Sequence, residues 1–452
     1  MDYEQLKKTV KHSKYVPYDP TQRTFSCLTT TAHEGGLQPY QYTGWRDEAR
    51  SWHETCYIHA GLNPHNTHRL KGPDSIKLLK DKLVNKIDNW PIGKGKHTIA
   101  CNEQGLIMAD GVIFRFGQDE FVGTEMAYLV YLAERDHYNV TFENLTEKQF
   151  NFQMAGPKSL EIIEKCTEDE LRDIDFMWGK AIKIDQKDVF VVRLGMAGTL
   201  GYEIHGKAED AVDIYRYILE KGEPLGLKQL GLPAYGMTHI EGGFAQNLLD
   251  FLEPWSEDQG FVEWMVKNKD GMAVFGNKEI LSHMLSGSAG QEVSLRYRNP
   301  IELGWIKECD FNRDFIGKKV LLQELNDPKR VFVTLEWDPE DLTNVFREAF
   351  EPDSPLYGIT DPNDFGSNLA MVMDKVVKDG EIIGYTGGRM FSSFYRQMIS
   401  TCIIEIRFGQ IGTEVYVVRG TEGTKQRLIK ARVARHPYIH ENRNEMINVH
   451  NL

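Results

Sequence analysis

Cysteine is scarce: the 452 residues hold six, Cys27, Cys56, Cys101, Cys166, Cys309 and Cys402, with no Cys-x-x-Cys pair among them. That excludes a disulfide scaffold, a zinc knuckle and a redox dithiol, and leaves reduced, mostly buried thiols as the expectation. Apolar runs are short as well. None approaches the roughly 18 residues of a membrane span, and the opening MDYEQLKKTVKHSKY is charged where a signal peptide turns apolar. A soluble cytoplasmic protein with no membrane partner is expected. Basic residues are the minority, 53 Lys+Arg against 66 Asp+Glu for a formal net charge of -13, and they gather into no stripe. Nucleic acid is therefore not an expected partner. The run PIGKGKH (Pro91 to His97) lacks the GKS or GKT ending and the apolar helix of a phosphate loop. The pairs His53/His59 and His65/His68 have no third ligand at helical or hairpin spacing, so no metal is expected.

What is present suffices for several cores. At roughly 150 residues per domain the length suggests about three domains, with 41% hydrophobic residues to fill them. Residues 1–45 read as an extension draped over a domain, with little periodicity and a turn-forming TAHEGG run at Thr31 to Gly36. A helix-like stretch, Trp45 to His59, follows. The segments HRLKGPDSIKLLKDKLV and FNFQMAGPKSLEIIEKC each read as a strand broken at Gly-Pro (Gly72-Pro73 and Gly156-Pro157) and continued by a helix, with Asp74 a candidate cap for the first. Lying about 85 residues apart, they suggest a duplicated α+β element. Between them, GLIMADGVIFRFGQDEFVGT reads as two strands around a turn at Gly117 to Glu120. Beyond the second unit, DVFVVRLGMAGTLGYEIHG reads as strand, Gly-rich loop, strand, and EDAVDIYRYILEKG as an amphipathic helix stopped by Gly222. Residues 250–290 look like an excursion from the main domain. From about Leu295 short β-rich runs alternate with turns, the pattern of a small barrel or sandwich. The division expected is 1–45, 46–295 (two α+β subdomains) and 296–452.

Three places carry chemistry. The loop LGMAGTLGYEIHG lets backbone approach a flat ligand, and Glu203 just after it could present two oxygens to an aminopyrimidine edge; the plain alternative is a hairpin with an exposed Glu. Tyr235, in LPAYGMTHIEGGF beside His239 and Glu241, carries a phenol of pKa near 10. It is either a general acid for a departing phenolate or a hydrogen-bonded core tyrosine. Asp110 interrupts an apolar strand, and a buried carboxylate without a partner costs several kcal/mol, so it is paired or functional.

Taken in order, these segments resemble the aminomethyltransferase family: the T-protein of the glycine cleavage system and its tetrahydrofolate-dependent demethylase relatives. The resemblance spans nearly the whole chain. It is strongest at NPIELGWIKECDFNRDFIGKKVLLQEL (Asn299 to Leu325) and continues through GYTGGRMFSS, GTEVYVVRG and KARVARHPYI. It implies an α+β folate-binding multi-domain fold with a small C-terminal β-barrel, and tetrahydrofolate as cofactor. GMAGTLGYEIHG is similar to the family's pterin-holding loop, which implies folate contacts at Met196, Gly201, Tyr202 and Glu203, with Glu241 and Asp110 added. CNEQGLIMADGVIF is similar to the segment bearing the family's catalytic Asp, here Asp110; T-proteins usually show an Asp pair where this chain has Ala109-Asp110. At Tyr235 T-proteins carry Arg. That departure, the N-terminal extension and WRDEARSW bring the chain nearer to tetrahydrofolate-dependent aromatic O-demethylases of the vanillate and syringate type. Those enzymes carry an Arg for the substrate carboxylate where Thr124 stands here, which implies an uncharged ether, methoxy or methylenedioxy. Substrate contacts are expected at Thr124, Tyr42 and His65, with Tyr40 and Trp45 also candidates for an aromatic lining. Tyr235 is the expected proton donor, and Asp110 the group that stabilises the pterin nitrogen's positive charge or takes its proton. The rivals are a demethylase of a sulfonium or N-methyl compound and a folate-binding regulator without turnover.

Overall fold

Each of the two strand, Gly-Pro, helix units forms as the pattern implies, and each founds its own sheet. The computed structural model describes residues 11–18, 25–29, 34–348, 350–351 and 371–452. Near its start, where little periodicity was expected, β1 (Phe25–Thr29) and β2 (Glu34–Pro39) form an antiparallel hairpin; residues 31–33 of the TAHEGG run lie outside the described residues. The helix-like stretch after it is helical only at Trp45–Glu48 and Ser51–Glu54. Its last residues are instead strand β3 (Cys56–His59), buried at all four positions. A strand covered on both faces shows no alternation, so four apolar-biased residues can pass for a helix end.

The first unit runs β4 (Thr67–Lys71), α1 (Ser75–Lys82), the meander β5 (Gly95–Cys101), β6 (Ile107–Arg115), β7 (Glu120–Thr124), then α2 (Ala127–Arg135) and β8 (Thr141–Asn144). The second repeats that order as β9 (Gln149–Ala155), α3 (Ser159–Glu164), β10 (Gly179–Ile184), β11 (Lys187–Val192), β12 (Gly201–Lys207), α4 (Ala211–Gly222) and β13 (Leu227–Gln229). Their sheets correspond strand for strand, β5-β6-β7-β4-β8 and β10-β11-β12-β9-β3-β13, with β3 inserted in the second. The Gly of each Gly-Pro does the same job. Gly72 and Gly156 have φ of +145° and +139°, and a Cβ there would lie 2.7 Å from the Asn139 carbonyl oxygen and 2.5 Å from that of Thr55, so only glycine lets the chain turn from strand to helix. Asp74 stands at the cap of α1, where its carbonyl accepts from the Leu78 N–H but its side chain caps no N–H of the helix; its carboxylate accepts from the Asn139 N–H at 2.8 Å.

Beyond these sheets, β14 (Leu285–Ser286) pairs in parallel with β16 (Met371–Val372). A closed six-stranded barrel follows: β15 (Arg330–Trp337), β17 (Asp374–Lys378), β18 (Glu381–Ser392), β19 (Gln397–Glu405), β20 (Glu414–Arg419) and β21 (Arg427–Ala434). Five cysteines are free thiols, four of them buried; the Cys27 side chain lies outside the described residues. Among the described residues no helix is long and apolar enough to cross a membrane.

The helix that positions the site is α5 (Leu232–Gly242), buried from Pro233 to Gly242. Pro233 opens it, and Gly243 ends it with φ +69°. It forms the seam between six-stranded sheet and barrel: Tyr235, Met237 and Ile240 share one apolar cluster with Trp52, Tyr57 and Ala155 on one side and Met390, Ile399 and Ala434 on the other. Fully buried side chains such as Ile240 contribute about 1.5–3 kcal/mol each, which fixes the helix and every group it carries.

Candidate functional site

Between the two sheets, α5 and the segment 244–255 lies a cavity of about 420 Å³. One wall is built by alternation. On β12, Tyr202 and Ile204 enter the core while Glu203 and His205 face the cavity; on β9, Phe152 and Met154 enter the core while Asn151 and Gln153 face it. The register sets Glu203 opposite Gln153 and His205 opposite Asn151, so four polar side chains stand together. Gln153 donates to Glu203 Oε1 at 3.0 Å, and His205 Nε2 lies 3.1 Å from Oε2. Burial alone would raise the Glu203 carboxyl. The His205 hydrogen bond and charge, with the Gln153 hydrogen bond, outweigh it and hold the group below its ordinary value, ionised at neutral pH. Gln153 Oε1, Asn151 Oδ1 and His65 Nδ1 are buried without protein partners. A carboxylate with unspent acceptors and donors around it fits the amino and ring N–H groups of a pterin. Asn151 and Gln153 were not foreseen.

Met196 also lines the cavity, on the loop before β12. That loop is clamped by the C-terminal segment: Arg193 donates to Asn444 Oδ1 at 3.1 Å, and Asn444 donates to the Gly201 carbonyl at 3.2 Å. Gly201 and Tyr202, expected as folate contacts, do not reach the cavity. A Cβ on Gly201 would come within 3.1 Å of Ala155, so its glycine serves strand packing, and Tyr202 is fully buried on the opposite face of β12.

From α5, Tyr235 and His239 line the cavity. The Tyr235 ring stacks on His59 with centroids 4.1 Å apart, and the Nδ1 of His59 bonds the Leu230 carbonyl at 2.9 Å, so its own ring is fixed. Burial, then the charge of Glu203, push the Tyr235 phenol above its ordinary value; it keeps its proton across the physiological range. Glu241 does not line the cavity. It faces away from the cavity and accepts from Trp52 Nε1 at 2.8 Å, with His53 Nε2 at 2.7 Å. Tyr42 is absent from the lining as well, and its backbone N–H donates to Glu48 Oε1 at 2.6 Å. The same strip braces α5 through the Leu232 N–H to Tyr40 carbonyl bond of 3.1 Å, while Trp45 packs against Phe391 of the barrel.

The opposite wall is acidic. Asp110, midway along β6, is paired: His97 Nε2 lies 3.0 Å from its Oδ2. Thr124, ending β7, accepts from the Val112 N–H at 3.1 Å, and His65 Nε2 lies 3.7 Å from Glu125 Oε1. Burial takes the His65 imidazole down to about 4, so it is neutral. Glu125, which follows Thr124 in the sequence, and Glu253 complete this wall; Glu253 was not foreseen. Enclosure in the cavity, then Asp110 and Asp270, push the Glu125 carboxyl up to about 7. Burial, then Asp110 and Glu125, push Glu253 well above the ordinary 4.5, while Asn247 donates to its Oε2 at 2.6 Å. A carboxyl raised in this way keeps its proton in the native state where the unfolded chain has lost it, so stability falls as pH climbs above about 4.5. Glu253→Gln should flatten that fall and gain melting temperature on the parent progressively from about pH 5 to about pH 8. Parallel melting curves for the two proteins across that range would refute it.

Among the described residues no group of three His, Cys, Asp or Glu side chains is arranged to hold a metal ion. The cavity lining holds the acidic side chains Asp110, Glu120, Glu125, Glu203 and Glu253 against one guanidinium, Arg69, which is bound to Glu120 at 3.3 Å and Glu143 at 2.6 Å.

Residues 29–270 match the family described as the GCVT N-terminal domain. A sesamin methylene transferase from a Sinomonas species is 35% identical over 425 residues, 92% of this chain and 93% of that one. A syringate O-demethylase from a Sphingobium species is 25% identical, across 88% of this chain and 89% of its own. The crystal structure of glycine cleavage system aminomethyltransferase T from Bartonella henselae shares the fold, with a TM-score of 0.65 at 16% identity and 98% of both chains covered.

Proposed function

Since the chain belongs to the aminomethyltransferase family, we propose that it transfers the ether carbon of an uncharged aromatic substrate, methoxy or methylenedioxy, to tetrahydrofolate. The observation that carries this reading is the placing of the Tyr235 phenol, protonated at neutral pH, in one cavity with the Glu203 wall. Bound tetrahydrofolate supplies the nitrogen that accepts the carbon. Glu203, Gln153 and Asn151 hold and orient its ring. An aryl ether resists cleavage because phenolate leaves poorly, and Tyr235 answers this by delivering a proton to the ether oxygen as the C–O bond breaks. Asp110, fixed by His97, would offset positive charge on the accepting nitrogen or take its proton.

The charge of the walls selects the substrate. An aromatic acid would set its carboxylate in the same cavity as the ionised Glu203, with Arg69 already engaged. Two other arginines that could serve an acid are committed elsewhere: Arg115 donates to the carbonyls of Trp90, Gly117 and Gln118, and Arg389 is buried in the barrel with its guanidinium on Met398. Neutral methylenedioxyphenyl and guaiacol-type ethers should therefore show higher kcat/KM than vanillate, and Thr124→Arg should shift preference toward the acid. The assay is turnover of these ethers with tetrahydrofolate and mass spectrometry of the folate product. Absence of any one-carbon folate from every ether overturns the function, and a parent preference for vanillate overturns the charge argument.

A further inference from the structure

His239 is the most conspicuous unused group in the cavity. It is 1% exposed, and neither ring nitrogen has a hydrogen-bond partner. A buried imidazole normally satisfies at least one nitrogen, so two left open toward a cavity point to a ligand atom that meets them. Its position is specific. His239 follows Tyr235 by four residues on α5, so the two side chains share one face, one turn apart, and their rings meet edge to face at 5.2 Å between centroids. The neighbouring His59 cannot take this role, because its Nδ1 is held by Leu230 and its ring lies flat under Tyr235.

Resting on the reading above, we infer that the arene carries two vicinal oxygens and that His239 binds the second of them while Tyr235 serves the first. Burial takes the imidazole down to about 3, so it is neutral, with one N–H to give and one lone pair to receive. Its N–H suits the second ether oxygen of a methylenedioxyarene; its lone pair suits the free hydroxyl of an ortho-methoxyphenol. A methylenedioxy group breaks two C–O bonds, and each leaves its electron pair on an aryl oxygen that takes one proton. The balance closes on the two hydrogens lost where two C–N bonds form. A group at each oxygen is therefore needed for the diether, and one suffices for a simple methyl ether. His239 is on this account a specificity-determining residue.

The test compares parent, His239→Leu and His239→Gln, the last keeping a neutral donor and acceptor. Catechol and phenol are the binding probes, by calorimetry without folate; 1,2-methylenedioxybenzene and anisole are the turnover probes with tetrahydrofolate. The parent should bind catechol at least tenfold more tightly than phenol, and His239→Leu should erase that ratio while changing phenol binding less than about twofold. Its kcat/KM for the methylenedioxyarene should fall at least tenfold, against little change for anisole, and His239→Gln should recover most of both. Equal losses for one-oxygen and two-oxygen probes, or a catechol preference that survives His239→Leu, overturn the inference. If the parent turns over no ether, the transferase reading fails by itself, and the catechol-to-phenol ratio still decides the role of His239.

Discussion

Replacing Tyr235 with Phe should lower turnover of an aryl ether by about 10²–10⁴-fold, the range of a lost general acid, and leave the protein folded. The substitution removes one oxygen and keeps the ring, so the stack on His59 at 4.1 Å and the edge contact with His239 survive. Folate binding should change little, because the Glu203 wall lies on β9 and β12 rather than on α5. The expected signature is thus a fall in kcat with KM nearly unchanged, the mark of an interaction made in the transition state. A sulfonium or quaternary N-methyl donor leaves as a neutral group and needs no acid, so a variant that demethylates such a compound at the parent rate, with no ether active in either protein, would replace the ether reading. The same residue sets a pH expectation. Since burial and Glu203 push the phenol up, activity of the parent should show no loss from Tyr235 ionising anywhere near neutral pH.

Where the chain's periodicity has one meaning, it reports the structure well. Gly72-Pro73 and Gly156-Pro157 mark two strand-to-helix turns, and both occur, each with glycine at positive φ against a backbone carbonyl. The turn-separated runs beyond Leu295 mark a barrel, and it closes. Cys56–His59 shows the limit, since a strand buried on both faces has no period to find.

In the site, alternation exists in the sequence but its polar face has two readings. The run FNFQMA alternates apolar and polar, and Asn151 and Gln153 look like a solvent face until β12 sets Glu203 and His205 opposite them over a cavity. The same alternation excludes Tyr202, whose neighbour Glu203 faces the cavity. Helical period likewise separates Glu241 from the site: at about 100° per residue it stands roughly 200° around α5 from His239, which directs it to Trp52 and His53. Glu253 gives no signal of this kind. It lies in an irregular segment, and only the fold brings it beside Asp110 and Glu125.

Tetrahydrofolate should raise the melting temperature of the parent, and Glu203→Ala should remove most of that rise. A ligand confined to the native state stabilises it by about 2.7 kcal/mol at a hundred times its Kd. Hydrogen bonds to a charged group contribute about 1.5–3 kcal/mol, so losing the carboxylate raises Kd by roughly 10- to 150-fold and takes most of the stabilisation away at the same folate concentration. The variant's own stability must be separated from this effect, because Glu203→Ala also strips His205 and Gln153 of their partner. Glu203→Gln does so: it keeps shape and one acceptor and removes the charge. Its folate-induced shift should lie between those of parent and Ala variant, whatever the melting temperatures without ligand. Should both variants be stabilised by folate as strongly as the parent, Glu203 serves only to hold its strand neighbour His205 and, across the sheet, Gln153, and the pterin sits against the Asp110 wall instead.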